Sequence, residues 1–461
     1  MHALFSEKVA VPSLEDMEIN LSNVKMIFYN DLAPGSFKNL RKINVWGCGS
    51  LKNLFPASIA KDLPQLEHLS ITDCGVEEIV SKGDGVEEQP VRFEFPQVSY
   101  LGVTGVEKLK CFYEGQHTIV WPMLKKLKTD GSALLKIVAW EHLRLIQGNE
   151  EPVLLGEEVI PKLEELELRT SGDMDQFPPD LFQHIKVFAL SGGSPFSLFP
   201  FVRRFYNLER LEFSYFDFKH IVPCKGDAGT LPPIRNLKLV SARNLKHIWR
   251  KDSELDHILS NLQTLTVEDC DDWINIRVFS SSLQNLTILN VSFCEMMTNL
   301  VTPSVLKNLV QLTTIKVENC TKMTEIVGNE GECHQTIVVS KLKCLHLCNL
   351  KRLTSFCPWY YNFEFPCLAE LVVEHCPWLK IFSEGVLSTP QLQRIKRSRY
   401  DEKWSWTSDL NTTIQQLYTE KDGLYFPYDF NISDTFPESM EIWTRNPQEI
   451  LGFKNLSSMQ F

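Results

Sequence analysis

A nine-residue pattern, Leu-x-x-Leu-x-Leu-x-x-Cys, recurs along this chain and limits what it can fold into. It appears as "LRKINVWGC" from Leu40, "LEHLSITDC" from Leu66, "LQTLTVEDC" from Leu262 and "LAELVVEHC" from Leu368. The first apolar position of the pattern, complete or degraded, falls at residues 14, 40, 66, 98, 124, 163, 185, 208, 234, 262, 286, 312, 342, 368 and 392. Intervals run from 22 to 39 residues and cluster at 24 to 28. Such a period predicts a solenoid of stacked repeats.

Apolar and polar residues alternate inside each copy, which predicts a half-buried strand. In "LQTLTVEDC", Leu265 and Val267 alternate with Thr264, Thr266 and Glu268. One such strand cannot bury its apolar face alone, so the copies must stack into a parallel sheet over a continuous core. The expected fold is therefore an α/β leucine-rich-repeat solenoid, a right-handed βα superhelix with a concave parallel sheet and an irregular or short-helical convex side.

The segments that return the chain from one strand to the next carry prolines. Residues 55–65, 177–185 and 301–311 read "FPASIAKDLPQ", "FPPDLFQHI" and "VTPSVLKNLVQ". Proline fits the first turn of a helix, so these segments predict short helices or 3₁₀ turns on the convex side.

The placement of the cysteines and the net charge indicate in which cellular compartment the protein is expected. At least six of the 13 cysteines occupy the last position of the pattern, which indicates packing residues and not a disulfide framework. The net charge of −11 argues against a general nucleic-acid or membrane-surface role. No apolar run reaches the ~18 residues of a membrane span, and the first 20 residues lack a secretory pattern. We expect a reduced cytoplasmic or nucleo-cytoplasmic protein that binds no nucleic acid.

The repeats suggest two regions. Residues 1–400 are predicted to form the solenoid, with about fifteen irregular repeats and a convex insertion near 133–160. Residues 401–461 form a C-terminal segment in which Leu456, Met459 and Phe461 begin a further repeat. A solenoid normally ends in a polar cap, so this ending predicts a truncated gene or a fragment of a longer protein.

Three segments carry a family resemblance. "SLKNLFPASIAKDLPQLEHLSITDCGVEEIV" (50–80), "FEFPQVSYLGVTGVEKLKCFYEGQHTIVWPMLKKLK" (93–128) and "FEFPCLAELVVEHCPWLKIFSEGVLSTPQLQRIK" (363–396) resemble the repeats of plant coiled-coil NBS-LRR disease-resistance proteins, which are intracellular immune receptors (NLRs). "WSWTSDLNTTIQQLYTEKDG" (404–423) resembles the segment that follows a repeat block in that family. The resemblance implies a sensor and autoregulatory region that reads pathogen effectors or guarded host proteins in plant innate immunity.

The family's nucleotide switch has no counterpart in these residues. The sequence holds no Gly-rich phosphate loop with Lys-Ser/Thr, no Met-His-Asp-type motif and no N-terminal coiled-coil heptads. A nucleotide-binding domain would therefore act on this chain in cis or in trans.

The polar positions of the strands point to the concave surface, the usual recognition face of a solenoid. The candidate partner-binding residues there are Trp46, His68, Tyr100, Tyr215, Phe293, His346, Arg394, Lys396 and Arg399. The aromatic members are the preferred anchors, because aromatic and arginine side chains dominate interface energies. The alternative is that they only cover neighbouring strands. The basic run 393–400 is either a docking edge for a partner domain or, as we favour, a solvated edge with weak ion pairs.

Few residues of the sequence support metal binding or catalysis. Cys344, His346 and Cys348 share one strand face, but the two cysteines are ~13 Å apart along an extended strand. Two thiolates on one zinc ion must lie within ~4–5 Å, so packing is the better interpretation. No catalytic or phosphate-binding motif is present, and we predict no enzyme, cofactor or metal.

The predicted function is protein recognition in plant defence. The alternative is a substrate-recognition adaptor of a ubiquitin ligase, or another generic interaction scaffold. An adaptor would need an F-box-like helical module before the array, and residues 1–13 leave no room for one.

Overall fold

The structure is a computed structural model that describes most of the repeat array. The described residues are 4–5, 11–28, 32, 35–82, 91–115, 117–130, 133, 160–169, 183–192, 205–216, 234–243, 260–271, 283–331, 335–400 and 404–421. The predicted insertion near 133–160, apart from its two end residues, lies outside the described residues. So do the prolines of the 177–185 segment and the predicted repeat start at 456–461.

Sixteen strands in the described part form one continuous sheet in chain order. They are Asp16–Ile19, Lys42–Trp46, His68–Thr72, Tyr100–Thr104, Lys126–Thr129, Glu165–Leu168, Val187–Ser191, Arg210–Ser214, Asn236–Val240, Thr264–Glu268, Ile288–Ser292, Thr314–Glu318, Cys344–Cys348, Glu370–Glu374, Ile395–Lys396 and Trp404–Ser405. The first fifteen follow the fifteen predicted positions by two or three residues and pair in parallel. The predicted concave parallel sheet is confirmed.

The register puts equivalent residues of successive repeats side by side. Leu237, Leu265 and Leu289 are paired across three neighbouring strands, and all three are buried. Within each strand, the residues that alternate with the buried ones, such as Thr266, are only half-buried and face outward. Each buried aliphatic side chain contributes ~1.5–3 kcal/mol. The core is therefore a stack of apolar layers under one outward polar surface.

The returning side of the solenoid holds short helices and small parallel sheets. The helices Ala57–Ala60 and Pro303–Asn308 lie where the prolines of segments 55–65 and 301–311 predict them. The small sheets were not predicted from the sequence. Their strands are Asn53–Pro56, Glu78–Ser81 and Cys111–Tyr113; Val91–Glu94 and His117–Val120; Thr336–Val338, Asn362–Glu364 and Leu387–Ser388; Ser355–Cys357 and Ile381–Ser383.

The Phe-Glu-Phe segments at residues 93–95 and 363–365 show the apolar–polar alternation that would have indicated two of these back strands. Phe93 and Phe95 are buried on either side of the exposed Glu94, and Phe363 and Phe365 flank Glu364 in the same way. This is the period of two that a half-buried strand requires.

In six of the described repeats, the cysteine of the pattern turns inward two residues after the strand. Cys270 is fully buried, and its thiol lies 3.3 Å from the Glu268 carbonyl and accepts the Ala242 N–H at 3.4 Å. The thiol of Cys376 approaches the carbonyls of Glu374 and Leu347, both at 3.4 Å. The cysteines of the pattern are thus packing residues with weak polar contacts to the turn, as their period predicts.

The Cys270 thiol should resist chemical modification in the folded chain. Burial raises the pKa of Cys270 to about 12, so at pH 8 only roughly one part in ten thousand is thiolate. We expect iodoacetamide followed by peptide mass spectrometry to label Cys270 only after unfolding, whereas the half-buried Cys367 is labelled in the native chain. Equal labelling rates for the two would contradict this packing.

A strand and a helix close the C-terminal end of the described array. Trp404–Ser405 pairs antiparallel with Ile395–Lys396, and the helix Leu410–Lys421 then packs on the strand Ile381–Ser383. The side-chain oxygen of Asn411 accepts the N–H groups of that strand's Phe382 and Ser383 at 3.0 and 3.2 Å.

The apolar residues of the helix cover the last core layers, since Leu410, Ile414 and Leu417 are buried. The strand Trp404–Ser405 and the helix Leu410–Lys421 therefore cap the described array, and the predicted truncated repeat at 456–461 stays a prediction. None of the helices in these stretches is long and apolar enough to cross a membrane.

Candidate recognition surface

The outward side chains of the sixteen strands form a surface that we call the concave face. Most of its charges pair with each other. Lysine-to-carboxylate distances between neighbouring strands are 3.1 Å for Lys42–Glu18, 3.3 Å for Lys126–Glu165, 2.6 Å for Lys128–Glu167 and 3.3 Å for Lys396–Glu370. Exposed pairs of this kind contribute ~0–1 kcal/mol each. Their main effect is that the face carries little uncompensated charge.

A stacked ring pair lies near the N-terminal end of the concave face. The ring centroids of His68 and Tyr100 are 4.2 Å apart, and the ring planes are tilted by only 4°. Gly102 leaves room for this tyrosine, because a Cβ at that position would lie 3.0 Å from the Tyr100 hydroxyl oxygen. Burial, reinforced by the charge of Lys42, lowers the pKa of His68. Burial also raises the pKa of Tyr100, and Glu167 adds to this shift. Both rings are thus uncharged at neutral pH, and each covers one face of the other.

Trp46 is the last residue of the strand Lys42–Trp46. Its side chain is exposed, which is necessary for an anchor that contacts a partner. It lies four residues along the strand from the position that is paired with His68. At ~3.3 Å per residue, the indole is ~13 Å along the face from the His68–Tyr100 pair. These three predicted residues are therefore on one face, but they do not form one cluster.

Tyr215 and Phe293 are not on the strands where the sequence pattern placed them. Each lies one residue beyond its strand, with φ of 57° and 56° respectively. The same turn in other repeats holds Gly47, Asp73, Gly105, Gly192, Ser241, Asp269, Asn319, Asn349 and His375, all with positive φ. In these turns the Tyr215 N–H donates to the Val240 carbonyl at 2.9 Å, and the Phe293 N–H to Glu318 at 3.0 Å. We call this row of turn residues the rim.

The rim conformation disfavours large side chains. Glycine, asparagine and aspartate tolerate positive φ, whereas for other L-residues it costs about 1–2 kcal/mol. Tyr215 and Phe293 are nevertheless 54% and 47% exposed, so packing against the core does not explain them. Three strand intervals of ~4.8 Å separate them, which is ~14 Å along the rim. Strained residues that gain nothing in stability point to a function.

Two of the four basic residues in the run 393–400, Lys396 and Arg399, are ion-paired. Arg399 reaches Glu318 at 2.6 Å and Glu374 at 3.6 Å, and Lys396 contacts Glu370. Arg394 is exposed, one residue before the last parallel strand. Both Glu370 and Glu374 belong to the preceding strand of the sheet, and the solvated-edge interpretation of this run stays a prediction. The additional bridge to Glu318, from two strands further away, was not predicted.

His346 lies at the centre of the "CLHLC" strand, and its Nε2 is 2.8 Å from a Glu370 oxygen. Cys344 is half-buried, while Cys348 is fully buried and has its pKa raised to about 12 by that burial. Across the described ranges, no three His, Cys, Asp or Glu side chains converge as metal ligands would.

Trp404 is a concave-face residue that the sequence did not reveal. It is paired opposite Lys396 in the antiparallel strand and is 58% exposed. Residues directly opposite in an antiparallel pair share one face of the sheet, so Trp404 lies on the concave face. It follows the last copy of the repeat pattern, and no periodicity marks it.

Comparisons with known proteins support this architecture at the family level. The family model described as "Plant disease resistance protein RPS2-like, leucine-rich repeats" matches residues 2–75, 162–284 and 273–396. Two Arabidopsis thaliana proteins named as disease resistance proteins, At1g61310 and At4g10780, are similar to parts of the chain. The first is 26% identical over 173 residues, 37% of this chain and 18% of the relative. The second is 24% identical over 234 residues, 45% of this chain and 25% of the relative.

The chain thus spans a quarter or less of the length of these relatives. Among solved structures, the TLR13–ssRNA13 complex matches with 16% identity and a TM-score of 0.32, over 86% of this chain and 58% of that one. The mouse RP105/MD-1 complex matches with 12% identity and a TM-score of 0.30, over 83% and 82%. Since the family model covers more than half of its residues, this chain belongs to the RPS2-like leucine-rich repeats of plant disease resistance proteins.

Proposed function

We propose that this chain is a non-catalytic sensor and autoregulatory module that recognises a pathogen effector or a guarded host protein in plant defence. The concave face and its rim form the contact surface, with Trp46, His68, Tyr100, Tyr215, Phe293, His346, Arg394, Lys396 and Arg399 as candidate contacts. A nucleotide-binding domain, in cis or in trans, converts binding into a signal. The free buried cysteines of the described repeats suit a reducing cytoplasmic or nucleo-cytoplasmic location.

The observation that carries this proposal is the pair of strained aromatics on the rim. Tyr215 and Phe293 occupy turns that favour glycine or asparagine, and both side chains remain accessible. Exposed aromatics of this kind are typical anchors of protein interfaces. Hydrophobic surface facing solvent, combined with an unfavourable backbone, is explained by a partner that buries the rings.

The test is co-immunoprecipitation of the full chain with a panel of pathogen effectors and host defence proteins in leaf tissue. We expect at least one protein to bind the wild type and to be lost with Tyr215→Asn. The matched control is Tyr360→Asn, because Tyr360 is 60% exposed but lies just before the back strand Asn362–Glu364. Equal loss of binding in both variants, or no binding by the wild type to any panel member, would refute the proposal.

A further inference from the structure

The middle outward positions of three neighbouring strands bring together Asn290, Lys316 and His346. The strand register pairs Asn290 with Lys316 and Lys316 with His346. Neighbouring strands are ~4.8 Å apart, so the three side chains rise next to each other from the concave face. We call these residues the Lys316 row.

Lys316 differs from the other lysines of the face. The outward lysines Lys42, Lys126, Lys128, Lys238 and Lys396 each have a carboxylate within 3.3 Å. Lys316 is half-buried, and no carboxylate of the described residues lies within 4.0 Å of its ammonium group. The nearest acid along its own strand, Glu318, is occupied by Arg399 at 2.6 Å. A partly buried charge without a partner is unfavourable, so this ammonium group is available to a carboxylate from outside the chain.

Both neighbours of Lys316 carry a buried polar atom without a hydrogen bond, Oδ1 of Asn290 and Nδ1 of His346. Their other polar atoms are fixed. Asn290 Nδ2 donates to the Thr266 hydroxyl at 3.3 Å, and His346 Nε2 lies 2.8 Å from Glu370. A carboxylate only accepts, so His346 Nε2 is the donor in its contact with Glu370. The row therefore offers one free cationic donor between two polar side chains that are held by contacts within the chain.

We infer that the Lys316 row binds an acidic residue in an extended segment of the partner protein. The carboxylate would accept from the Lys316 ammonium group, and the segment would run from there along the strand direction toward Phe293. Phe293 lies three residues beyond Asn290, ~10 Å along the strand, where it can hold an apolar residue of the same segment. This inference rests on the proposed function and names the chemistry that the partner must present.

The test uses a random-peptide display library selected on the full-length wild-type chain. We expect enrichment of peptides that combine an aspartate or glutamate with an apolar residue. Synthetic copies of these peptides should bind Lys316→Gln about tenfold more weakly than wild type, as for loss of a hydrogen bond to a charged group. Lys316→Arg, which keeps the charge, should retain most of the affinity. The control Lys351→Gln removes an equal charge from an exposed turn outside the row and should bind like wild type.

Two further arms separate the possible failures. Free glutamate should compete only weakly, because it lacks the apolar residue that contacts Phe293. Full competition would show that a small carboxylate is sufficient and would overturn the peptide assignment. Peptides that lose binding with Phe293→Asn but not with Lys316→Gln would overturn the Lys316 row and leave the proposed function standing. Selection of no peptide that depends on either residue would overturn both.

Discussion

Replacement of Leu265 by alanine should lower the free energy of unfolding by about 2–5 kcal/mol. Leu265 is fully buried between Leu237 and Leu289 of the adjoining repeats, so its truncation leaves a cavity bounded by both layers. Backbone pairing to strands on either side limits how far the layer can collapse into that space. Each repeat depends on its neighbours, so the loss should be felt in the flanking repeats as well.

Urea unfolding of the full chain, followed by circular dichroism, measures this change. Thr264→Ala is the matched control, since Thr264 begins the same strand but faces outward and is only half-buried. We expect less than about 1 kcal/mol for the control, the range of strand propensity alone. A loss below ~1 kcal/mol for Leu265→Ala would show that the layer is not packed as described.

Replacement of Phe293 by asparagine should have opposite effects on binding and on folding. Loss of an aromatic anchor typically weakens an interface by 2 kcal/mol or more, which is about thirtyfold in Kd. The same change should raise the free energy of unfolding by about 1 kcal/mol, because asparagine tolerates the positive φ of 56° that phenylalanine does not. Few substitutions stabilise a protein while removing its binding, so the combination is diagnostic.

Isothermal titration with a partner identified by the panel gives the affinity, and thermal unfolding gives the stability. Tyr215→Asn should behave in the same way, since Tyr215 has the same turn conformation and a similar exposure. Tyr360→Asn again serves as the control with an exposed ring on the back of the solenoid. If Phe293→Asn lowers stability instead, the ring supports the turn, and the functional interpretation of the strain is wrong.

The charged and the aromatic parts of the surface play different roles in this picture. Most charges of the concave face are used within the chain, as in the Lys128–Glu167 pair at 2.6 Å. Exposed pairs contribute little energy and would need to be broken before a partner could use them. The rings of Tyr215, Phe293 and Trp404 are exposed, and the Lys316 ammonium group is unpaired among the described residues. These groups are therefore the better candidates for binding energy.

The sequence by itself determined the strands and the core. The alternation of apolar and polar residues around Leu265 and Val267 decides which side chains are buried. The spacing of the copies decides that the strands stack. Both are local properties, because a strand with period two has only one face to bury. For that reason even the degraded copy at Leu124 forms its strand, with Thr129 buried in the aliphatic position.

Only the tertiary structure decided the rim, the cap and the pairing on the concave face. The pattern counted Tyr215 and Phe293 as strand residues, because a turn with positive φ leaves no periodicity when aromatics occupy it. Arg399 meets Glu318 across 81 residues, and Trp404 faces outward because it is paired directly opposite Lys396. Each of these depends on which repeats become neighbours in space. A local pattern specifies the layer, and contacts between layers specify the surface that a partner meets.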